Sequence, residues 1–250
     1  MNKKSFFFYF FISVTTIGWS QSSTENPIED HDFTRQIWID LQPYWTVSNN
    51  SKIISEFSYR TVKPESWHRV ITRVSKEFIE DSIIFKGFKH KERIAGGIGL
   101  FLFLSEYEKN TFEIRPHQNY GISFNISPRF NLGQLLRLEE RFLFSDNEKH
   151  DFFGLRFRYQ VTGTIDLQGL FFQEKRGFYL PISVEAFFNI FKVSQFNDVI
   201  RVTPGIGYQI DPDFKLLASL AYHYTKAGID SSKLVRTNDI VFRFRIIKGF

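Results

Sequence analysis

From residue 35 to the last residue, Phe250, apolar and polar side chains alternate with a period of two. No stretch holds helical periodicity over three turns. A period of two is the signature of β-strands, because successive side chains point to opposite faces. Phe153, Leu155, Phe157, Tyr159 and Val161 alternate with Gly154, Arg156, Arg158, Gln160 and Thr162. Leu136, Leu138, Phe142 and Phe144 oppose Arg137, Glu139 and Arg141. Phe214, Leu216, Ala218, Leu220, Tyr222 and Tyr224 lie opposite Lys215, Ser219 and His223. At the C-terminus, Ile240, Phe242, Phe244, Ile246 and Phe250 share one face, with Arg243 and Arg245 on the other.

A water-soluble sandwich alternates too, so the faces must be compared. Here one face is almost purely Phe, Leu, Ile, Val and Tyr. The other is rich in Arg, Glu, Gln, Thr and Gly. The strands run to ten or more residues, nearer to the 9–11 or so that cross a bilayer at a tilt than to the usual five or six. The composition agrees: 45 of 250 residues are aromatic (31 Phe, 10 Tyr, 4 Trp), yet 24% are charged. Such a chain is neither disordered nor a bundle of membrane helices. It has no Cys, which excludes a disulfide scaffold, a Cys-ligated zinc site and an acylated-Cys anchor. The predicted fold is all-β: a transmembrane antiparallel up-and-down β-barrel with apolar side chains in lipid and polar ones in the lumen. An open edge in lipid would leave backbone groups unpaired, so the sheet must close. Trp38, Tyr44, Trp45, Trp67, Tyr208, Tyr222 and Tyr224 lie near strand ends and suit interfacial girdles.

The N-terminus reads as an export signal. Lys3 and Lys4 precede an apolar run from Phe6 to Ile17 that is too short to span a bilayer. Gly18 and Ser20 sit at signal-peptidase spacing. Residues 1–20 are therefore the signal peptide, 21–34 a polar periplasmic lead-in and 35–250 the barrel. Loss of Lys3 and Lys4 leaves 30 basic against 27 acidic residues, a charge of +3. So slight an excess argues against nucleic acid as a partner.

Eleven strands are visible by pattern: 35–47, 51–61, 66–79, 94–106, 111–126, 130–145, 152–166, 177–190, 198–210, 214–225 and 237–250. Bacterial single-chain barrels have even strand numbers. The expectation is about twelve, with a short strand hidden in 82–93 or 27–34, or ten if two have been split. The turns at Ser48, Ser127 and Asp211 then fall on the periplasmic side with the C-terminus.

Several short motifs resemble those of a bacterial family, domain of unknown function 2490. Glu56-Phe57-Ser58-Tyr59-Arg60 resembles its early E-x-x-x-R strand. Glu113-Ile114-Arg115-Pro116-His117-Gln118 is similar to E-x-R-P-x-Q, and Arg137-Leu138-Glu139-Glu140-Arg141-Phe142 to R-x-E-x-R-F. Leu155 to Tyr159 resembles L-R-F-R-Y, and Glu185 to Asn189 resembles E-x-F-F-N. The resemblance covers about 35–250. It implies a small outer-membrane barrel and supplies no activity or catalytic residues.

Parity places Arg60, Arg69, Arg73, Arg115, Arg137, Arg141, Arg156, Arg158, Arg201, Arg243 and Arg245 in the lumen, with Glu56, Glu77, Glu113, Glu139 and Glu185. That is eleven cations against five anions. Desolvated charges cannot stay unpaired, so two outcomes are open. Either the surplus arginines line a narrow water-filled channel for small anionic solutes, or Arg and Glu interlock across strands in a closed structural or partner-docking barrel. A lipid-modifying enzyme is the third reading. It requires a Ser or acid within hydrogen-bond reach of His117 or His223; the spacing of Ser219 and His223 on one strand is too long for that. Enzyme signals are otherwise thin. No metal-ligand spacing or phosphate loop is present, and no cofactor is expected. Phe242, Phe244, Ile246 and Phe250 form the expected C-terminal assembly signal. The expected partners are outer-membrane lipid and the barrel assembly machinery, for a monomer in the bacterial outer membrane.

Overall fold

The computed structural model of the chain describes residues 28–250, apart from 64–66, 82, 86–88, 106–109, 146–151, 170–175, 191–197 and 231–232. The expected signal peptide lies outside the described residues. The described elements are eleven strands closed into one barrel. They are β1 (Ile28–Ser48), β2 (Ser51–Lys63), β3 (Trp67–Glu80), β4 (Lys91–Ser105), β5 (Thr111–Ser127) and β6 (Phe130–Ser145). They continue as β7 (Phe152–Asp166), β8 (Gly177–Asn189), β9 (Asp198–Asp211), β10 (Phe214–Asp230) and β11 (Lys233–Gly249). Each strand pairs antiparallel with the next.

The strand number corrects the expectation of twelve, or ten. The parity that seemed to demand another strand is met by a different closure: β1 and β11 pair in parallel, from Ile28↔Lys233 to Tyr44↔Gly249. An odd barrel must contain one such seam, since its first and last strands run the same way. Neither proposed hiding place is an extra strand. Residues 28–34 belong to β1, and among the described residues of 82–93 only the end, from Lys91, is strand.

The seam is held by polar contacts on its inner side. Thr34 Oγ1 donates to Asp239 Oδ1 at 2.6 Å, and Asp40 accepts from Arg243 and Arg245. At the C-terminal end, Phe250 N donates to Tyr44 O at 2.9 Å, and Tyr44 Oη donates to Asp213 Oδ1 at 2.6 Å. The rim carrying Phe250 also carries the 48–51, 127–130 and 211–214 turns.

Burial inverts the pattern of a soluble domain. Among the described residues, ten apolar side chains are buried against eighteen polar or charged ones, while thirty-seven large apolar side chains are exposed. A soluble monomer rarely exposes a contiguous apolar surface of this size. The exposed set follows strand parity: Ile37, Ile39 and Leu41 on β1; Ile98, Leu100 and Leu102 on β4; Ile240, Phe242 and Phe244 on β11. Gln118 and Glu140 form a polar notch in this wall, joined at 3.4 Å. Trp38 and Trp67 depart from the expected girdle, Trp67 sharing the inner parity of Arg69 and the buried Ile71 on β3; Trp38 is the more enclosed. It sits on the inner face, 4% exposed, because its neighbours Ile37 and Ile39 take the outer one.

One carboxylate lies on the outer wall rather than in the lumen. Glu92 is buried where Ile84, Phe85 and His90 meet it beside Tyr120 of β5. It accepts from Ile84 N (2.8 Å), Phe85 N (2.9 Å) and Tyr120 Oη (2.9 Å), and lies 2.6 Å from His90 Nε2. The clasp leaves Ile84 and Phe85 exposed beside Lys89 and Lys91. Hydrogen bonds to an ionised acceptor are the stronger kind. Glu92→Gln is therefore expected to raise amide hydrogen exchange at Ile84 and Phe85 by about tenfold or more. Unchanged exchange there would show that the loop is held by other contacts.

Candidate functional site

Strand alternation delivers the predicted charges to one place. All eleven predicted arginines lie on the inner parity of their strands, and the structure adds Asp40, Arg93 and Asp239. Simple alternation could have found Asp40, between outward Ile39 and Leu41. Arg93 lies before the 94–106 alternation, in a stretch with no period of two, although β4 begins at Lys91.

The half of the lumen away from Phe250 is filled by a linked ion-pair network. Glu113 accepts from Arg141 Nε (2.6 Å) and from Arg115 Nη2 (2.7 Å). Glu139 is central: Arg156 Nη2 and Arg158 Nη1 each lie 2.6 Å away, with Arg115 at 3.6 Å and Arg137 at 3.8 Å. Arg158 bridges onward to Glu185 at 2.5 Å, which also takes Arg201 at 3.3 Å. Glu56 holds Arg73 at 3.2 Å and lies 4.0 Å from Arg60. On the seam side, Asp40 joins Arg243, Arg245 and Ser58 Oγ (2.5 Å). Arg69 lies over the rings of Trp67 (4.9 Å) and Phe103 (4.2 Å).

The guanidinium planes stack on aromatic rings that point inward. Arg60 lies 3.8 Å from the Trp38 ring centre, with Arg201 at 5.3 Å and Arg243 at 5.5 Å. Arg115 lies 3.8 Å from Phe101. Phe187 is approached by Arg158 and Arg201, each at 4.8 Å, and by Arg156 at 5.4 Å. Such contacts gain strength when desolvated. Val62, Ile71, Leu143, Ala221 and Val241 fill the space between. The result is a mixed plug of salt bridges, aromatic faces and small apolar groups, in which Glu113 and Glu139 are fully buried.

The two histidines singled out by sequence differ. His117 Nε2 lies 3.0 Å from Ser75 Oγ and is 2% exposed. Gly97 makes that pair possible, because a Cβ there would run into Ser75 Oγ and the His117 ring. His223 packs edge-on against Trp38 with ring centres 5.4 Å apart, and its Nδ1 is 3.9 Å from Asp239. Among the described residues, no group of three His, Cys, Asp or Glu could hold a metal ion.

Below the plug, toward Phe250, the lumen opens into a recess of about 330 Å³. Arg73, Arg93, Arg137 and Arg245 line it, with Glu56 and Glu77. Of the residues expected to form a C-terminal assembly signal, Phe242 and Phe244 face outward and Phe250 is 70% exposed, stacked on Trp45 at 5.9 Å between ring centres. Ile246 shares their parity.

Fold and site together define a closed, mostly antiparallel β-barrel with a charge-paired interior. The chain belongs to the family described as "Protein of unknown function (DUF2490)", whose model matches residues 16–232. No curated protein and no solved structure matches the chain.

Proposed function

We propose that the protein is an outer-membrane β-barrel whose lumen is sealed, a closed structural or partner-docking barrel of the envelope rather than a conducting pore. The plug carries this reading. Each of Asp40, Glu113, Glu139 and Glu185 is engaged by two or more guanidiniums, and Arg115, Arg156, Arg158, Arg201 and Arg243 among them also lie over the buried rings of Trp38, Phe101 or Phe187. An anion channel needs arginines free to meet solute along the whole lumen, whereas the arginines of the plug are held by neighbouring carboxylates. The apolar outer wall and the export signal read from Met1 to Ser20 support lipid and the outer membrane as its surroundings. The outward Phe242 and Phe244 of β11 support delivery by the barrel assembly machinery. The deciding experiment is single-channel recording of refolded mature protein in a planar bilayer. Folded protein is expected to give no steady current. A steady current with anion-favouring reversal would overturn the sealed barrel and restore the narrow Arg-lined channel.

The Ser75–His117 hydrogen bond favours a second reading, a hydrolytic barrel in which Ser75 attacks an ester and His117 takes its proton. It ranks below the sealed barrel because, among the described residues, no carboxylate is hydrogen-bonded to His117 to orient it. Labelling with a fluorophosphonate separates the two. Labelling that disappears in Ser75→Ala would establish the nucleophile, and a wild-type protein that stays unlabelled would end the hydrolytic reading.

A further inference from the structure

The charge that the plug does not neutralise collects in the recess. Four guanidiniums and two carboxylates line it, an excess of two positive charges. Arg73 is paired with Glu56 at 3.2 Å, but the other three have weaker partners than the guanidiniums of the plug. Arg137 donates to the neutral Asn119 Oδ1 at 2.7 Å and reaches Glu139 only at 3.8 Å. Arg245 reaches Asp40 at 3.5 Å. Arg93 Nε is buried with no hydrogen-bond partner. A buried donor without an acceptor is costly to keep. The fold nevertheless makes room for it: Arg93 lies against Gly121, where a Cβ would come within 3.3 Å of Nε.

We infer that the recess binds a small dianion bearing hydroxyl groups. Its carboxylate or phosphate oxygens bond to Arg93 and Arg137, whose planar forks match an oxyanion. Its hydroxyls meet the neutral amides and hydroxyl of Asn119, Gln160 and Thr162 on the same walls. The volume lies at the low end of ligand pockets, so the solute is small. Among the described residues, no aromatic side chain lines the recess, which leaves a nucleobase or other flat ring without a stacking partner. The two excess charges match a dianion and disfavour a neutral sugar. Because the site lies below the plug, it needs no open pore.

The test is isothermal titration of the refolded mature protein in detergent at constant ionic strength, with tartrate, glucose 6-phosphate and glucose as probes. At least one of the two dianions is expected to bind with one-to-one stoichiometry, and glucose is expected not to bind. Tartrate alone would point to a dicarboxylate and glucose 6-phosphate alone to a phosphate ester. Arg93→Gln removes one charged contact and is expected to weaken binding by about tenfold or more. Gly133→Gln adds bulk without charge at a position where the nearest atoms to a Cβ are 3.9 and 4.0 Å away, and should block binding. It provides a second arm should Arg93→Gln fail to refold. Absence of binding by both dianions overturns the inference, as does equal binding of glucose or wild-type affinity in the variants that fold. The titration does not depend on conductance. A barrel that binds and conducts would retain the recess and lose the seal, and a barrel that does neither would retain the seal alone.

Discussion

Replacing Glu139 with glutamine is expected to lower the stability of the folded barrel by about 3–5 kcal/mol, the cost of removing one partner from a buried ion network. Glu139 lies within 4.0 Å of four guanidiniums and is fully buried. The isosteric amide keeps the volume but removes the charge, leaving Arg156 and Arg158 short of their acceptor in a space from which water is excluded. Arg158 keeps Glu185, which limits the damage at that end of the network. The reference substitution is Glu77→Gln. That carboxylate sits in the recess and is only partly buried, so its loss should cost less than about 1 kcal/mol. Urea unfolding of refolded protein, read as the midpoint of heat-modifiable gel mobility or tryptophan emission, measures both. Equal midpoints for the two variants would show that the plug is not what holds the barrel together.

Ile98→Arg tests the outer wall. Ile98 stands at the centre of β4, is 47% exposed and faces away from the lumen. If the wall meets hydrocarbon, arginine at this depth should cost about 2–4 kcal/mol. If the wall meets water, a surface substitution of this kind should stay within about 0.5 kcal/mol. Measured in lipid vesicles, the large value supports membrane embedding, and a near-neutral value would make the protein a secreted barrel. The outcome bears on the wall alone, because Ile98 touches neither the plug nor the recess lining.

Much of the architecture could be read directly from the residues because a strand has a side-chain period of two. Once Phe153, Leu155 and Phe157 are assigned outward, Arg156 and Arg158 must point inward, whatever the neighbouring strands do. The same rule placed Glu56, Glu113, Glu139, Glu185 and the eleven arginines in the lumen, and it set ten of the eleven strand pairings by sequence order. It failed where alternation was interrupted. Glu92 follows the outward parity yet is buried, since Ile84, Phe85 and His90 close over it. Arg93 was hidden in that same stretch.

Closure and pairing were decided by tertiary structure. An even strand count is a property of other barrels, and nothing in the alternation says whether β1 meets β11 antiparallel or parallel. That depends on how the two ends of the sheet meet in space, where Asp40 finds Arg243 and Arg245 across the seam. Likewise, the list of eleven arginines and five glutamates fits an open anion path as well as a plug. The difference rests on register and on ring placement. Trp38, Phe101 and Phe187 turn inward among the guanidiniums, bring the charges to within bonding distance of carboxylates on adjacent strands, and leave the excess at one end. The sequence by itself determined which side chains enter the lumen, because parity is local. Only the closed barrel decided which of them meet, because those distances depend on the stagger of strands far apart in the chain.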